Sequence, residues 1–409
     1  MSRPPRILLD LTPLDTPSGP RGIGRYIREL AIGLSELPRD ELGGIEIVGL
    51  TALHWTGACE TTLDIASFRG GPRSAAPTET DFYYWAYRQR LALWRAAKGV
   101  GADAVHICDA HATPLFLGMS GCRKIVTCHD LVPSKFPDHY FGLRDGGAFV
   151  GKRIERRRYR SADLVVAISD ATRNDVVSLL GVPAERVVRV HNGLDLAWWA
   201  APATSDDEKV LDRFHLRGKD YVLYVGGSDW RKNTTGMMGA LARARAAGID
   251  LRLAWAGHLQ AAHIEGVEAE ARRFGVLAAV ERLGYVTDEE LRVLYRAARA
   301  HLLVSRCEGF GLTVVEAMAA GCPVVTTNGG SLAEVAGEAA LQVDPENPLA
   351  IGDALVRLCR EQNLAENLVR RGRERAPAFS RAAQARAMAG VYREFFAEWP
   401  FARSPVPLQ

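Results

Sequence analysis

The chain reads as α/β, with two Rossmann-like, doubly wound parallel-sheet domains facing each other across a cleft. Three observations predict this. Its 409 residues exceed what one core holds and fit two domains of about 150–200 residues each. Short, uniformly apolar runs alternate with longer amphipathic segments almost throughout, the rhythm of parallel strands covered by helices on both faces. The composition, 47% hydrophobic and 24% charged with 39 glycines, is that of a globular chain able to bury two such sheets.

In the first half, Ile7–Leu9, Ile45–Leu50, Ala104–Ile107, Lys124–Cys128 and Leu164–Ile168 read as strands, with helical stretches at Gly24–Leu37 and Asp81–Ala97. The second half repeats the pattern with strands at Tyr221–Val225, Leu251–Ala256, Val280–Leu283, His301–Val304 and Pro323–Thr326. Its helices include Thr235–Ala247, Asp288–Ala298 and Val314–Ala319. Between the halves, 196–220 is rich in Ala, Pro and Asp without a clear period and reads as the interdomain linker. That sets the domains at 1–195 and 221–379. The stretch 380–409 is expected to supply a closing helix, from about Ser380 to Trp399, that packs back on the first domain. Sheets of this kind bind ligands outside the carboxyl ends of their strands, so a cleft between two of them is the expected site.

Several classes are excluded. A formal net charge of +3 is too small to imply nucleic acid, so any electrostatic partner must meet a local patch. The seven cysteines are odd in number, dispersed and without a CxxC pair, which is neither a disulfide framework nor a zinc site; reduced, buried thiols are expected. The opening MSRPPRILLDL runs into a strand pattern and lacks the apolar core of a signal peptide. No run of about 18 apolar residues would cross a bilayer. A cytoplasmic protein, at most peripheral at the inner face of the plasma membrane, is the expectation.

The chemistry concentrates in the second half. The strand Tyr221–Val225 runs into Gly226-Gly227 and then Arg231-Lys232-Asn233 at the start of a helix. The glycines let a ligand approach the backbone, and the two cations at that sheet end can neutralise a diphosphate. A basic pair opening a helix is also what a solvated surface shows. Further on stands Ser305-Arg-Cys-Glu308-Gly-Phe-Gly-Leu-Thr-Val-Val-Glu316-Ala-Met. A strand ending near Ser305 and a helix starting near Thr313 would turn the amides of Phe310, Gly311, Leu312 and Thr313 outward, an anion site for a pyrophosphate. Glu308 in the turn can accept hydrogen bonds from sugar hydroxyls. Glu316, read in the first helical turn, can hold a ribose diol or can simply favour the helix dipole. Two more loops reach the same edge, at Asn328-Gly329-Gly330 and at Gly284–Asp288, the latter reading most simply as an N-cap at Asp288.

Taken with Gly321-Cys-Pro-Val-Val, these phrases resemble family 4 of the GT-B retaining glycosyltransferases, whose E-x7-E signature is Glu308 to Glu316 here. The resemblance extends to the first half through Gly22-Ile-Gly-Arg-Tyr26, Thr127-Cys-His129-Asp130, Ala162-Asp163 to Ser169 and His191-Asn-Gly-Leu-Asp195. It covers about residues 6 to 385 and looks most like bacterial mannosyltransferases of O-antigen and exopolysaccharide pathways. It implies that Arg231 and Lys232 bind the donor diphosphate, that Glu308 touches the transferred sugar and that Glu316 holds the ribose. It implies also that amides from Phe310 through Gly311 to Leu312 contact sugar and phosphate, and that a glycine loop at Gly22 and Gly24 lies near donor phosphate and acceptor. His129 would sit beside the reacting centre, with Asp130 able to orient it; on spacing alone, a His ending a buried strand also fits a purely structural role. One departure stands out: many members carry Arg where this chain has Gly227, which leaves more of the phosphate to Arg231 and Lys232.

The implied reaction moves a sugar, GDP-mannose first among donors and UDP-sugars next, to a glycan or lipid-linked acceptor hydroxyl. No cofactor is expected, and with no DxD-type pair in a matching loop no metal is either. Two other classes fit less well. An epimerase or phosphorylase of the same architecture would need an acid/base pair or a cofactor lysine, which the sequence does not offer; a non-catalytic nucleotide-sugar binder would not need the intact signature. The charge run Lys152-Arg153…Arg156-Arg157-Arg158…Arg160 on a predicted helix can dock on anionic lipid at about 1 kcal/mol per basic residue, or be a solvated face paired to Glu155 and Asp163. Acceptor contacts are expected from 53–80 and from the aromatic run at 82–85, though a packed helix also explains the latter.

Overall fold

A computed structural model describes residues 3–15, 18–19, 22–53, 60–68, 93–110, 122–140 and 147–397. The chain divides into two compact units, one formed by 1–193 together with 380–409 and the other by 194–379. The aromatic run at 82–85, the first part of the predicted helix at 81–97 and most of 53–80 lie outside the described residues.

In the first unit seven strands form one sheet: β1 (Arg6–Asp10), β2 (Glu46–Leu53), β3 (Glu60–Asp64), β4 (Ala104–Ile107), β5 (Arg123–Cys128), β6 (Leu164–Ala167) and β7 (Val187–Arg189). They lie in the order β3-β2-β1-β4-β5-β6-β7, parallel except for β3, which pairs antiparallel with β2. Central strands read as continuous apolar runs because helices cover both faces; all four residues of β4 and of β6 are buried. The helix Arg381–Ala397 returns to this unit after the second is complete. It packs on the helix Gly22–Glu36 so closely that a Cβ on Gly33 would lie 2.9 Å from that of Ala385. Arg381 donates to Glu29 there at 2.6 Å.

The second unit contains β8 (Tyr221–Val225), β9 (Arg252–Ala256), β10 (Val280–Gly284), β11 (Ala300–Leu303), β12 (Val324–Thr327) and β13 (Leu341–Val343). Their order, β10-β9-β8-β11-β12-β13, is the Rossmann winding. The crossovers diverge between β8 and β11, so the loops leaving those two strands open a crevice at their carboxyl ends. The segment 196–220, read from sequence as a linker, instead carries the helices Leu196–Trp199 and Asp207–Arg213 and belongs to this unit. Arg296 fixes it, donating to the Ala201 carbonyl at 2.9 Å and to Asp207 at 2.5 Å. Its Ala- and Asp-rich composition hid two elements too short to display a period.

Each sheet carries one histidine with no exposed surface, His106 on β4 and His301 on β11. His301 Nδ1 donates to the Leu223 carbonyl at 3.0 Å, leaving Nε2 to accept from Thr313 at 3.1 Å. Burial holds His301 near 4, against the pull of that carbonyl. Burial, aided by the nearby His129, holds His106 near 3. Unfolded, both rings protonate below about 6.5, so from there down to pH 4 the unfolded chain binds more protons than the folded one. Stability therefore falls as pH falls through that window. The melting temperature is expected to drop between pH 7 and pH 5, each ring contributing up to about 2 kcal/mol. His301→Gln, though less stable at pH 7, is expected to show a shallower slope; a flat profile in the parent chain would contradict this assignment.

Candidate active site

The crevice of the second sheet gathers four of the residues singled out by sequence. After β8 the backbone turns at Gly226, whose φ of 152° and whose distance of 2.7 Å from a would-be Cβ to the Tyr224 hydroxyl both require glycine. Its amide donates to Ala256 O and its carbonyl accepts from Trp255 Nε1, both at 2.9 Å. A single 3₁₀ turn, Trp230–Lys232, capped by Asp229, then presents the two cations. Opposite them, beyond β11, stands Glu308. Its Oε2 accepts from Arg231 at 2.5 Å, and its Oε1 accepts from Lys232 at 2.6 Å and from Ser305 at 2.7 Å.

These side chains are mostly shielded, at 22% exposure for Arg231, 16% for Lys232 and 10% for Glu308. Burial alone would raise the Glu308 carboxyl, but the charges of Lys232 and then Arg231, with the Lys232 and Ser305 hydrogen bonds, hold it down to about 2. Glu308 is thus ionised at any working pH and serves as counter-ion to both cations. The loop is pinned from two sides: the Arg306 amide donates to Arg231 O at 2.7 Å, and Ser331 Oγ donates to Glu308 O at 2.8 Å. Ser331 sits in the helix Gly330–Ala336, directly after the Asn328-Gly329-Gly330 loop. Ser305 and Ser331 carried no sequence signal of their own.

The helix after this loop is Leu312–Ala320, with Gly311 as N-cap at φ 110°. It begins one residue before the predicted Thr313, which moves Glu316 from the first helical turn to the second. Glu316 is 2% exposed and accepts from the Tyr295 hydroxyl at 3.0 Å. Phe310 packs inward, edge-on to Phe379 at 5.7 Å, so it can offer a ligand its backbone only. At the end of β10 the N-cap is Thr287, not Asp288: Thr287 accepts from the Glu290 amide while Glu290 accepts from that of Thr287, closing a capping box.

In the first unit, Gly22 and Gly24 open the helix Gly22–Glu36; they form its first turn, where the resemblance implied a loop. A Cβ on Gly24 would lie 2.0 Å from Gly19 O, so close backbone approach explains that glycine. His129 follows β5. Its Nε2 lies 2.8 Å from the Cys108 carbonyl, which can only accept, so Nε2 carries the proton. The Tyr26 ring meets His129 edge-on at 4.9 Å. Asp130 Oδ1 accepts from the Val132 amide at 3.2 Å, closing the turn into the next helix. Beneath His129 runs a buried chain that the sequence did not reveal. Tyr392 meets His106 Nδ1 at 2.6 Å, His106 Nε2 meets Thr127 at 2.8 Å, and Thr127 meets Tyr26 at 3.0 Å. Its members come from four elements far apart in sequence, which no local pattern could unite.

Gly227 differs from Gly226. Nothing lies within 4 Å of a Cβ built on it and its φ is not positive. Gly227→Arg is expected to leave the melting temperature nearly unchanged, within about 0.5 kcal/mol. It is expected to tighten nucleoside diphosphate binding several-fold by adding a guanidinium beside Lys232. Calorimetric titration with GDP and UDP checks both this direction and its size.

Two cations gathered on one carboxylate at the switch point of a Rossmann sheet, followed by a glycine-capped helix N-terminus, make a candidate anion site. Comparison with known proteins places the chain in a family. Residues 20–198 match the family described as Glycosyltransferase Family 4 and residues 207–375 the one described as Glycosyl transferases group 1. The O-antigen chain mannosyltransferase B of Escherichia coli is 30% identical over 267 residues, covering 63% of this chain and 67% of that protein. Other curated relatives are matched over about half their length or less, 51% for a Mycobacterium tuberculosis glycogen synthase and 26% for an Escherichia coli serotype-specific mannosyltransferase. A sucrose-phosphate synthase from Thermosynechococcus elongatus shares the fold at TM-score 0.73 and 22% identity, over 96% of this chain and 99% of that one. The Anabaena protein Alr3699/HepE, solved with UDP-glucose, does so at TM-score 0.69 and 17% identity, over 95% of this chain and 99% of that one. The chain belongs to the group 1 glycosyl transferases, family 4, and has their GT-B fold.

Proposed function

We propose that this glycosyltransferase moves mannose from GDP-mannose to a hydroxyl of a glycan or lipid-linked acceptor, with retention at the anomeric carbon and without a metal or other cofactor. The observation that carries the reading is the cluster of Arg231 and Lys232 around Glu308 at the carboxyl edge of β8 and β11. Breaking the donor bond leaves a nucleoside diphosphate and an oxocarbenium-like sugar, so stabilising charge on the departing phosphate is the main catalytic need. Lys232 and Arg231 supply two positive charges, and the amides entering the helix Leu312–Ala320 supply more. Glu308, released from the cations, accepts from sugar hydroxyls; Glu316, which here accepts from Tyr295, takes the ribose. His129 hydrogen-bonds the sugar, and its fixed Nε2 proton keeps the ring in one orientation. Front-face attack, with the leaving phosphate oxygen taking the acceptor's proton, accounts for retention without a second carboxylate. Mannose is favoured because the Escherichia coli O-antigen relative is named a mannosyltransferase.

A UDP-sugar donor is the second reading, favoured by the UDP-glucose held in the similarly folded Anabaena protein. Thermal shift against GDP-, UDP-, ADP- and dTDP-sugars, with and without EDTA, separates the two. A ligand at about a hundred times its Kd adds about 2.7 kcal/mol to the native state. A shift with GDP-mannose that survives EDTA is the expected result; a shift confined to UDP-sugars would replace the donor, and none at all would sink the catalytic reading.

Membrane contact through Lys152–Arg160 belongs to the same proposal, and with it a place at the inner face of the plasma membrane. No helix among the described residues is long and apolar enough to cross a bilayer. On the helix Gly147–Arg160, Lys152, Arg153, Arg156, Arg157 and Arg160 are exposed. Of the carboxylates read as alternative partners, Glu155 accepts from Ser134 and Asp163 from the Lys124 amide. Flotation with anionic vesicles at low salt tests the contact, and failure to float would remove it.

A further inference from the structure

Asn233 follows the cation pair and has so far no role. Its backbone lies at φ 61° and ψ 49°, in the left-handed region that non-glycine residues seldom occupy. Among the described residues only His215 shares a positive φ without being glycine. The side chain is 1% exposed, and its amide is used at both ends. Oδ1 accepts from the Gly236 amide at 3.1 Å, capping the helix Thr234–Ala246. Nδ2 donates to the Val304 carbonyl at 3.0 Å and to the Pro345 carbonyl at 2.7 Å. Two carbonyl acceptors on one side and an N–H on the other fix which end is nitrogen. Gly236 makes room for this, since a Cβ there would lie 2.5 Å from Nδ2.

The two carbonyls belong to the neighbouring loops of the same sheet edge. Val304 directly precedes Ser305, which holds Glu308. Pro345 directly precedes Glu346, which pairs with Arg306 at 2.6 Å, and the Arg306 amide in turn donates to Arg231 O at 2.7 Å. One buried amide therefore ties together the loops leaving β8, β11 and β13.

We propose that Asn233 is the positioning residue of the donor site: by clamping these three loops it sets where Arg231 and Lys232 stand relative to Glu308, and so the fit of a diphosphate. It acts through the cations and touches no substrate itself. The inference rests on the donor-site reading above and names how that site keeps its shape. The left-handed backbone is compatible with glycine, so Asn233→Gly keeps the turn and removes cap and clamp together without adding charge. Asn233→Asp keeps the cap acceptor and loses both donors, setting a carboxylate against two carbonyl oxygens.

The test titrates inorganic pyrophosphate and GDP or UDP into the intact protein and both variants, at a temperature where all are folded, with melting curves and steady-state rates alongside. Both variants are expected to bind pyrophosphate at least tenfold more weakly, and kcat is expected to fall by more than KM rises. In the parent chain Glu308→Gln is expected to tighten pyrophosphate binding; in the Asn233→Gly background that gain is expected to shrink, because the three side chains no longer hold one geometry. If Asn233→Gly melts lower but binds and turns over like the parent, the residue is only a helix cap and the proposal falls. Recovery of binding together with melting temperature in Asn233→Asp would overturn it in the same way. If the parent chain binds neither pyrophosphate nor any nucleoside diphosphate, the donor-site reading falls and takes this inference with it.

Discussion

Lys232→Met is expected to lower kcat by about 10²–10³-fold, the range for removing one preorganised group aimed at developing charge. The side chain keeps an unbranched apolar stem and loses the ammonium, which in the proposed reaction faces the departing diphosphate. Donor KM is expected to change less, because Arg231 and the helix amides still bind the ground state. Stability should fall as well. Burial tends to raise the Glu308 carboxyl, and Lys232 is the stronger of the two charges that hold it near 2. Without Lys232 a shielded carboxylate is left with half its compensation, at a cost of about 1–3 kcal/mol. The double variant Lys232→Met with Glu308→Gln is expected to regain much of that stability and none of the turnover. Steady-state kinetics and urea denaturation of the three proteins check it; recovery of turnover in the double variant would mean that Lys232 acts only as the partner of Glu308.

Glu308→Gln is expected to give opposite signs in two measurements. Turnover falls tenfold or more, since the sugar loses its strongest acceptor. Binding of free GDP or UDP tightens several-fold, because Arg231 and Lys232 no longer have to leave a carboxylate at 2.5 and 2.6 Å before taking a phosphate. Calorimetry with the nucleoside diphosphate alone reads the second effect without any chemistry. In the free protein, with its carboxyl near 2, Glu308 gains no proton between pH 5 and 9, so the tighter nucleotide binding of Glu308→Gln is expected to hold across that range. Weaker nucleotide binding in Glu308→Gln would show that the carboxylate orders the cations more than it competes for them.

The central strands and the donor loop could be read from the sequence because their physics is local. Strands buried on both faces must be short and apolar, and Glu308-Gly-Phe-Gly-Leu sits where a strand gives way to a helix. The edge strands β3, β7 and β13 are not legible in the sequence, whereas the edge strand β10 is; β7, with one of its three residues fully buried, lacks the apolar run. Thr287 and Asp288 can both cap, and the Glu290 side chain chooses between them. The Cys108 carbonyl that meets His129 Nε2 at 2.8 Å is a backbone group that sequence patterns cannot mark. Buried links such as Tyr392 to His106 join residues 286 apart, and only a folded sheet brings them together.

The first unit is interrupted in sequence: its last helix, Arg381–Ala397, is encoded after the whole of the second unit. A ribosome adding about 5–20 residues per second needs on the order of 10–40 s after residue 193 before that helix is made. During this interval the groove beside Gly33 is uncovered and His106 lacks the hydroxyl of Tyr392. The second unit, continuous from 194 to 379, can meanwhile complete its own sheet. Birth order and folding order are thus reversed, with the first-made half finishing last. A chain ending at residue 379 is expected to leave the first unit open to protease while the second resists, and restoring 380–397 is expected to close that window.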